Sequence, residues 1–280
     1  METPQSIREK DGTVTDTDFP TTTMSWSQRA RLRFTADIDT RWADTILVGC
    51  FFVSGIVDSV VFSTYNCFVS MQTGNTIFAG LGVSDLPADI PRYTWVKSLV
   101  AILAFCLGAF FFARYHRYLG ALKRWVLITS FLIQTLFMVV TCILITTGVT
   151  PRTKPNTSDH GRGRYDWIEL CPIALLAFQS AGQIVASRVL KYNSMPTVVL
   201  TSLYCDLMSD PHLLTAGLFE DPDRNRRAVS AVALFVGATI GGALVKSDVG
   251  YEGALWIATG VKGLMVLAWL LWKQKKPQSK

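Results

Sequence analysis

Of the 280 residues, half are hydrophobic and only 17% are charged, a balance that is unusual in a soluble domain and ordinary in a chain lying mostly in a bilayer. The net charge of +6 does not point to nucleic acid, because Lys and Arg fall between apolar runs, where the cytoplasmic preference of basic residues accounts for them. Six scattered cysteines without a CxxC, and three histidines far apart in polar connections, argue against a metal centre, and no cofactor is expected.

Residues 1–24 are rich in Thr, Asp and Ser with little to bury, which predicts disorder. No apolar run near Met1 resembles a signal peptide. From Trp26 the apolar side chains recur at Ala30, Phe34, Ile38 and Trp42, while Arg29, Arg31, Arg33 and Arg41 lie mostly off that stripe. This fits a helix on the membrane surface, and, because the stripe drifts, a basic linker equally well. Residues 1–42 are assigned to a cytoplasmic tail.

Six apolar segments near the length of a spanning helix follow, at 43–64, 95–114, 124–148, 168–188, 228–246 and 252–272. Two shorter ones, 68–83 and 196–209, would reach only about 24 and 21 Å as helices, short of a hydrocarbon core of about 30 Å. If the short segments do not cross, 19 of the 27 Lys and Arg fall on one side and 7 on the other, with Lys262 inside a span. If both crossed, the basic connection at 114–124 would move outside. Six spans with both termini cytoplasmic satisfy the positive-inside preference. The loop 149–167, with the glycosylation tripeptide Asn156-Thr157-Ser158, is then external, and 273–280 forms a basic cytoplasmic tail. The Trp at 95, 125, 167 and 256, near span ends, fit an interfacial belt.

The short segments occupy corresponding places. Gly55 precedes Thr73 by 18 residues and Gly182 precedes Thr201 by 19, and the small-residue patches Gly108-Ala109 and Gly237-Ala238 fall in matching spans. Halves 43–148 and 168–272 would each cross three times and so be inverted. The expected fold is an all-α polytopic membrane protein of six transmembrane helices with two short broken, re-entrant segments in a 3+3 inverted repeat, an arrangement whose short segments mark a midplane binding site.

The residues Gly55-Ile-Val-Asp58, Met71-Gln-Thr73-Gly74-Asn75-Thr76, Gly182-Gln183, Thr201 and Asp206 resemble the YoaK-like family of bacterial and fungal membrane proteins, a domain of unknown function, over roughly 43–272. Thr-Ser at 201 departs from the usual Thr-Gly. The resemblance implies a multi-spanning membrane protein and brings no substrate.

Asp58 is a carboxylate about fourteen residues into an apolar span, too deep to reach the surface easily. Lys262 lies near the middle of the last span, and a neutralising Asp58–Lys262 pair is the simplest expectation. Thr73-Gly74-Asn75 can open the short helix as an anion site, and Thr73 or Asn75 can cap it, two uses that are compatible. Gln134, Gln179 and Gln183 can bond a solute or a facing helix, the latter being the commoner use. Asp206 is either a second titratable group or a solvated residue at the cytoplasmic mouth. The candidate solute- or ion-binding set is therefore Asp58, Thr73, Gly74, Asn75, Gln183, Thr201, Asp206 and Lys262. No hydrolytic constellation occurs at membrane depth, so no enzyme is expected. A secondary transporter or permease of a small solute or ion is the first reading and a non-transporting scaffold or sensor the second. The expected partners are the bilayer and that solute, with a homo-oligomer left open.

Overall fold

Backbone polar groups find no partners in hydrocarbon, so a chain with this much apolar length has to satisfy them within helices. The computed structural model describes residues 25–84, 93–150, 167–213, 215, 217 and 220–275. The tail 1–24, the loop 151–166 with the Asn156 tripeptide, and residues 276–280 lie outside the described residues.

The described elements are α1 (Trp26–Thr35), α2 (Ala43–Tyr65), α3 (Gln72–Val83), α4 (Thr94–Leu119), α5 (Arg124–Thr146), a 3-10 turn (Trp167–Glu169) leading into α6 (Leu170–Val189), α7 (Leu200–Met208), α8 (Pro222–Lys246) and α9 (Gly250–Leu271). Among the described residues there is no strand, only two isolated bridges. Six helices are long and apolar enough to cross a membrane, with α3 and α7 as the two short elements. This is an integral, multi-pass helical membrane protein.

Two boundaries differ from the apolar pattern, each for a local reason. Helix α8 starts six residues before its apolar run, because Asp221 accepts the amides of Asp223 and Arg224 at 3.0 Å and Pro222 occupies the first turn. Helix α4 runs on through His116 and Arg117 to Gly120, whose φ of 98° lies where a side chain would be strained.

Helix α1 opens with the Ser25 amide donating to the Gln28 side chain at 3.1 Å and ends at Thr35. Ile38, which the stripe would extend onto that helix, is instead buried in a backbone clasp. The Ile38 amide donates to Leu122 O at 3.0 Å, the Arg124 amide to Ala36 O at 3.1 Å, and the Asp39 amide to Lys273 O at 3.0 Å. The clasp gathers the end of α1, the α4–α5 turn and the end of α9 at one end of the bundle.

The same end holds Tyr192, whose hydroxyl donates to Thr40 O at 2.6 Å, and Arg226, which pairs with Asp44 at 2.8 Å. At the far end Lys97 pairs with Glu169 at 2.8 Å and lies 5.4 Å from the Tyr65 ring centroid. There too the Trp256 indole donates to Thr146 at 3.2 Å. The end of α2 and the start of α4 therefore share the far end, and the end of α6 and the start of α8 share the clasp end. Helices α3 and α7 each leave and return on one side, from opposite ends of the bundle, so among the described helices only the six long ones cross.

Helix α2 is central, packed chiefly on α8, while α4 packs chiefly on α6. Lipid is as apolar as a leucine core, so these contacts depend on close approach rather than on expulsion of water. A Cβ on Gly55 would lie 2.2 Å from Leu234 O, one on Gly237 2.2 Å from Phe52 O, and one on Gly108 2.4 Å from Phe178 O. Leu103, Leu107 and Phe110 of α4, and Val232 and Phe235 of α8, are exposed on the outer surface and form the lipid-facing side.

Candidate functional site

Helix α2 ends on Asn66 in the left-handed region, at φ 57°, and residues 67–71 then run back along α2 without helical bonds. Such backbone is tolerated at membrane depth only when protein groups cover it. Asp58 provides that cover. One carboxylate oxygen accepts the amides of Val69 at 2.9 Å and Ser70 at 3.0 Å, and the other accepts the Ser70 hydroxyl.

Asn75 completes the arrangement from the first turn of α3. Its side chain accepts the Phe68 amide at 2.9 Å and donates to Phe68 O at 2.7 Å, mimicking a paired strand. Its amide nitrogen also reaches the Gln72 side chain at 2.8 Å, and Gln72 in turn donates to Val69 O at 2.9 Å. The Phe68 ring stacks on Phe62 at 4.8 Å, and a Cβ on Gly74 would press within 2.9 Å of that ring. The Gly-x-x-Asp and Thr-Gly-Asn motifs are thus two parts of one device that holds the loop in place. Neither Thr73 nor Asn75 is the N-cap of α3; that position is Met71, and Thr73 faces outward.

The second loop, residues 190–199, enters from the clasp end. Lys191 has φ 65°, and the Ser187 hydroxyl donates to Tyr192 O at 2.9 Å and Met195 O at 2.7 Å, folding the chain back along α6. At its tip Thr197 O accepts the Ser54 hydroxyl at 3.4 Å, as Val69 O accepts the Ser180 hydroxyl at 2.9 Å in the first loop. Ser54 and Ser180 each sit at the middle of their helix. Ser54 and Asp58 are one turn apart on α2, so both loop tips lie against the same stretch.

Gln183 donates to Ser54 at 3.5 Å and joins this seam. Its Oε1, the Oε1 of Gln179 one turn earlier and the Thr197 hydroxyl are buried without a hydrogen-bond partner. Gln134 approaches from α5, packed so closely on Gly182 that a Cβ there would lie 2.7 Å from its amide.

The structure brings together Asp58, Gly74, Asn75 and Gln183, and leaves the other four candidates elsewhere. Thr201 and Asp206 are exposed, because α7 turns Leu203 and Leu207 inward instead. Lys262 is fully buried, 5.3 Å from the Phe131 ring centroid, with no acceptor for its ammonium group. The expected Asp58–Lys262 pair does not form. Lys262 is one turn from Met265, which meets the Cys50 thiol at 3.8 Å, and Cys50 lies two turns nearer the clasp end of α2 than Asp58. The carboxylate is meanwhile fully engaged by the loop.

Sequence reasoning missed Ser54, Ser70, Ser180 and Thr197. Ser54 and Ser180 flank the paired Gly55 and Gly182, and that small-residue spacing is the signal that could have found them. Among the described residues no three His, Cys, Asp or Glu side chains come together as a metal set.

A family model described as a protein of unknown function, DUF1275, matches residues 46–268. No curated protein and no solved structure matches the chain.

Proposed function

The chain belongs to the DUF1275 family, and from its own geometry we propose that it is a secondary transporter or permease of a small solute or ion. The observation that carries this reading is the exchange of bonds between the two loop tips. Val69 and Thr197 each lie four residues before the matching Thr73 and Thr201, and each carbonyl is bonded by a mid-helix serine of the other half. Helix packing exchanges the same way. The contact of α2 with α8 is answered by α6 with α4, α3 with α4 by α7 with α8, and α2 with α9 by α6 with α5.

These correspondences support two inverted halves that meet around short interrupted segments, the arrangement in which transporter sites form at mid-depth. The unpartnered groups of Gln179, Gln183 and Thr197 are hydrogen-bonding and uncharged, suited to a small polar solute or a partly dehydrated ion. In this conformation the seam is closed, and alternating access requires the halves to part along it. The proposal includes no catalytic step. It places both termini in the cytoplasm, since the clasp end carries Arg41, Lys123, Arg124, Arg188, Lys191 and Lys273.

One observation favours the non-transporting scaffold or sensor. Asp58 and Asn75 spend their bonds on the protein's own backbone, as a purely structural device would. Uptake by the purified chain in liposomes, screened over inorganic ions and small polar solutes, separates the two. Transport predicts a flux above that of empty liposomes that Gln183→Leu abolishes without lowering the unfolding temperature. No flux across the panel, or a flux untouched by that substitution, sinks the transport reading at this seam.

A further inference from the structure

Away from the seam, α1 and the ends of α5 and α9 border an open groove of about 650 Å³. Four cations line it, Arg29, Arg33, Arg124 and Lys273, and no acidic side chain does. Among the described residues none of the four makes an ion pair.

Arg124 is the telling residue. It is 1% exposed, and one terminal nitrogen donates to Trp272 O, yet its Nε and its other terminal nitrogen have no acceptor. A guanidinium held out of water with two donor atoms idle, beside three further cations, is unfavourable until an anion joins it. The idle Nε and Nη1 lie on different edges of the guanidinium, and each is placed to give a charge-assisted bond to a phosphate oxygen.

Placement selects the source of that phosphate. Arg124 begins one spanning helix and Leu271 ends another, so the groove lies at the level of the lipid headgroups. Leu264, Leu267 and Leu271, which is 77% exposed, form an apolar strip on α9 that runs up to the groove, and exposed Leu32 faces it from α1. A free phosphate has no use for that strip, whereas an acyl chain does. Basic pockets at span ends are where anionic headgroups bind.

The geometry points to a binding site for the phosphate of an anionic phospholipid, held by Arg124 and screened by Arg29, Arg33 and Lys273, with an acyl chain along Leu264, Leu267 and Leu271. The site is separate from the seam and does not depend on transport. The full chain in detergent is titrated with dioctanoyl phosphatidylglycerol, dioctanoyl phosphatidylcholine and inorganic phosphate, with thermal unfolding as the readout. The phosphatidylglycerol is expected to raise the unfolding temperature saturably, and the other two to have little effect over the same range. The Arg29→Gln/Arg33→Gln variant, altered only on the exposed side of α1, should unfold like the wild type without lipid and bind about tenfold more weakly. Arg124→Gln should weaken binding at least as much. Equal shifts with phosphatidylcholine, or unchanged binding in both variants, would overturn the site; saturation by inorganic phosphate at the same midpoint would overturn the lipid assignment.

Discussion

Asp58 is a carboxylate used to bind backbone. Its three bonds go to a loop 11 and 12 residues further along the chain, so its removal is felt as stranded amides rather than as a broken ion pair. Asp58→Leu should destabilise by about 1–3 kcal/mol for each of the two amides left without an acceptor, and Asp58→Asn, which keeps an acceptor oxygen, by distinctly less. Lys262→Met removes a buried cation that has no hydrogen-bond acceptor and should leave stability unchanged or raise it. The Asp58→Asn/Lys262→Met double variant should equal the sum of the singles within about 0.5 kcal/mol, measured by unfolding in detergent. A double variant more stable than that sum by clearly over about 0.5 kcal/mol would show that the two charges are coupled after all.

Among the elements, the crossing of α2 on α8 is built on glycine from both sides, at Gly55, Gly237 and Gly241. Gly237 meets Phe52 backbone, which cannot move aside without shifting the helix, whereas Gly242 on the same helix has open space where a Cβ would go. Gly237→Ala should cost about 1–3 kcal/mol as an overpacked site, and Gly242→Ala should be neutral or stabilising by up to about 1 kcal/mol through helix propensity. Equal effects in unfolding experiments would mean that the crossing is looser than described.

The start of α8 carries a pH signature. Acceptance of the Arg224 amide, together with that of Asp223, holds Asp221 below its ordinary carboxylate pKa of 3.8. A group lowered in the folded state stabilises fully above its unfolded pKa and loses that contribution as pH falls through the folded value. Wild type should therefore unfold at a higher temperature than Asp221→Ala at neutral pH, and the gap should close on acidification below 3.8. A gap that widens on acidification would exclude the charged cap.

For the whole molecule, the six crossings make a topological claim. Ser247 at the α8–α9 turn and Gln274 beside the clasp lie at opposite ends of the bundle. In a cysteine-free background, Ser247→Cys should react with a membrane-impermeant maleimide only from outside and Gln274→Cys only from the cytoplasm. Labelling of both from one side would mean that α9, the one helix between them, does not cross. Inverted halves also predict that substitutions at Ser54 and Ser180 have matched effects, since each hydroxyl holds the other half's loop.

The sequence by itself determined the six long spans, the two segments too short to cross and the end of the bundle that gathers basic charge. Apolar length and charge asymmetry are sums over neighbouring residues and need no knowledge of packing. The cap at Asp221-Pro222 was equally local, and was missed only because the apolar run begins later. Which polar groups meet was decided by tertiary structure alone. Asp58 bonds to main-chain amides, which every residue but proline carries, so no side-chain pattern could name its partner. Lys262 and Asp58 look complementary on composition, but their levels along α2 and α9 separate them. Thr201 and Asp206 fell outside the seam because the rotation of a nine-residue helix about its axis is set by the neighbours that bury Leu203 and Leu207.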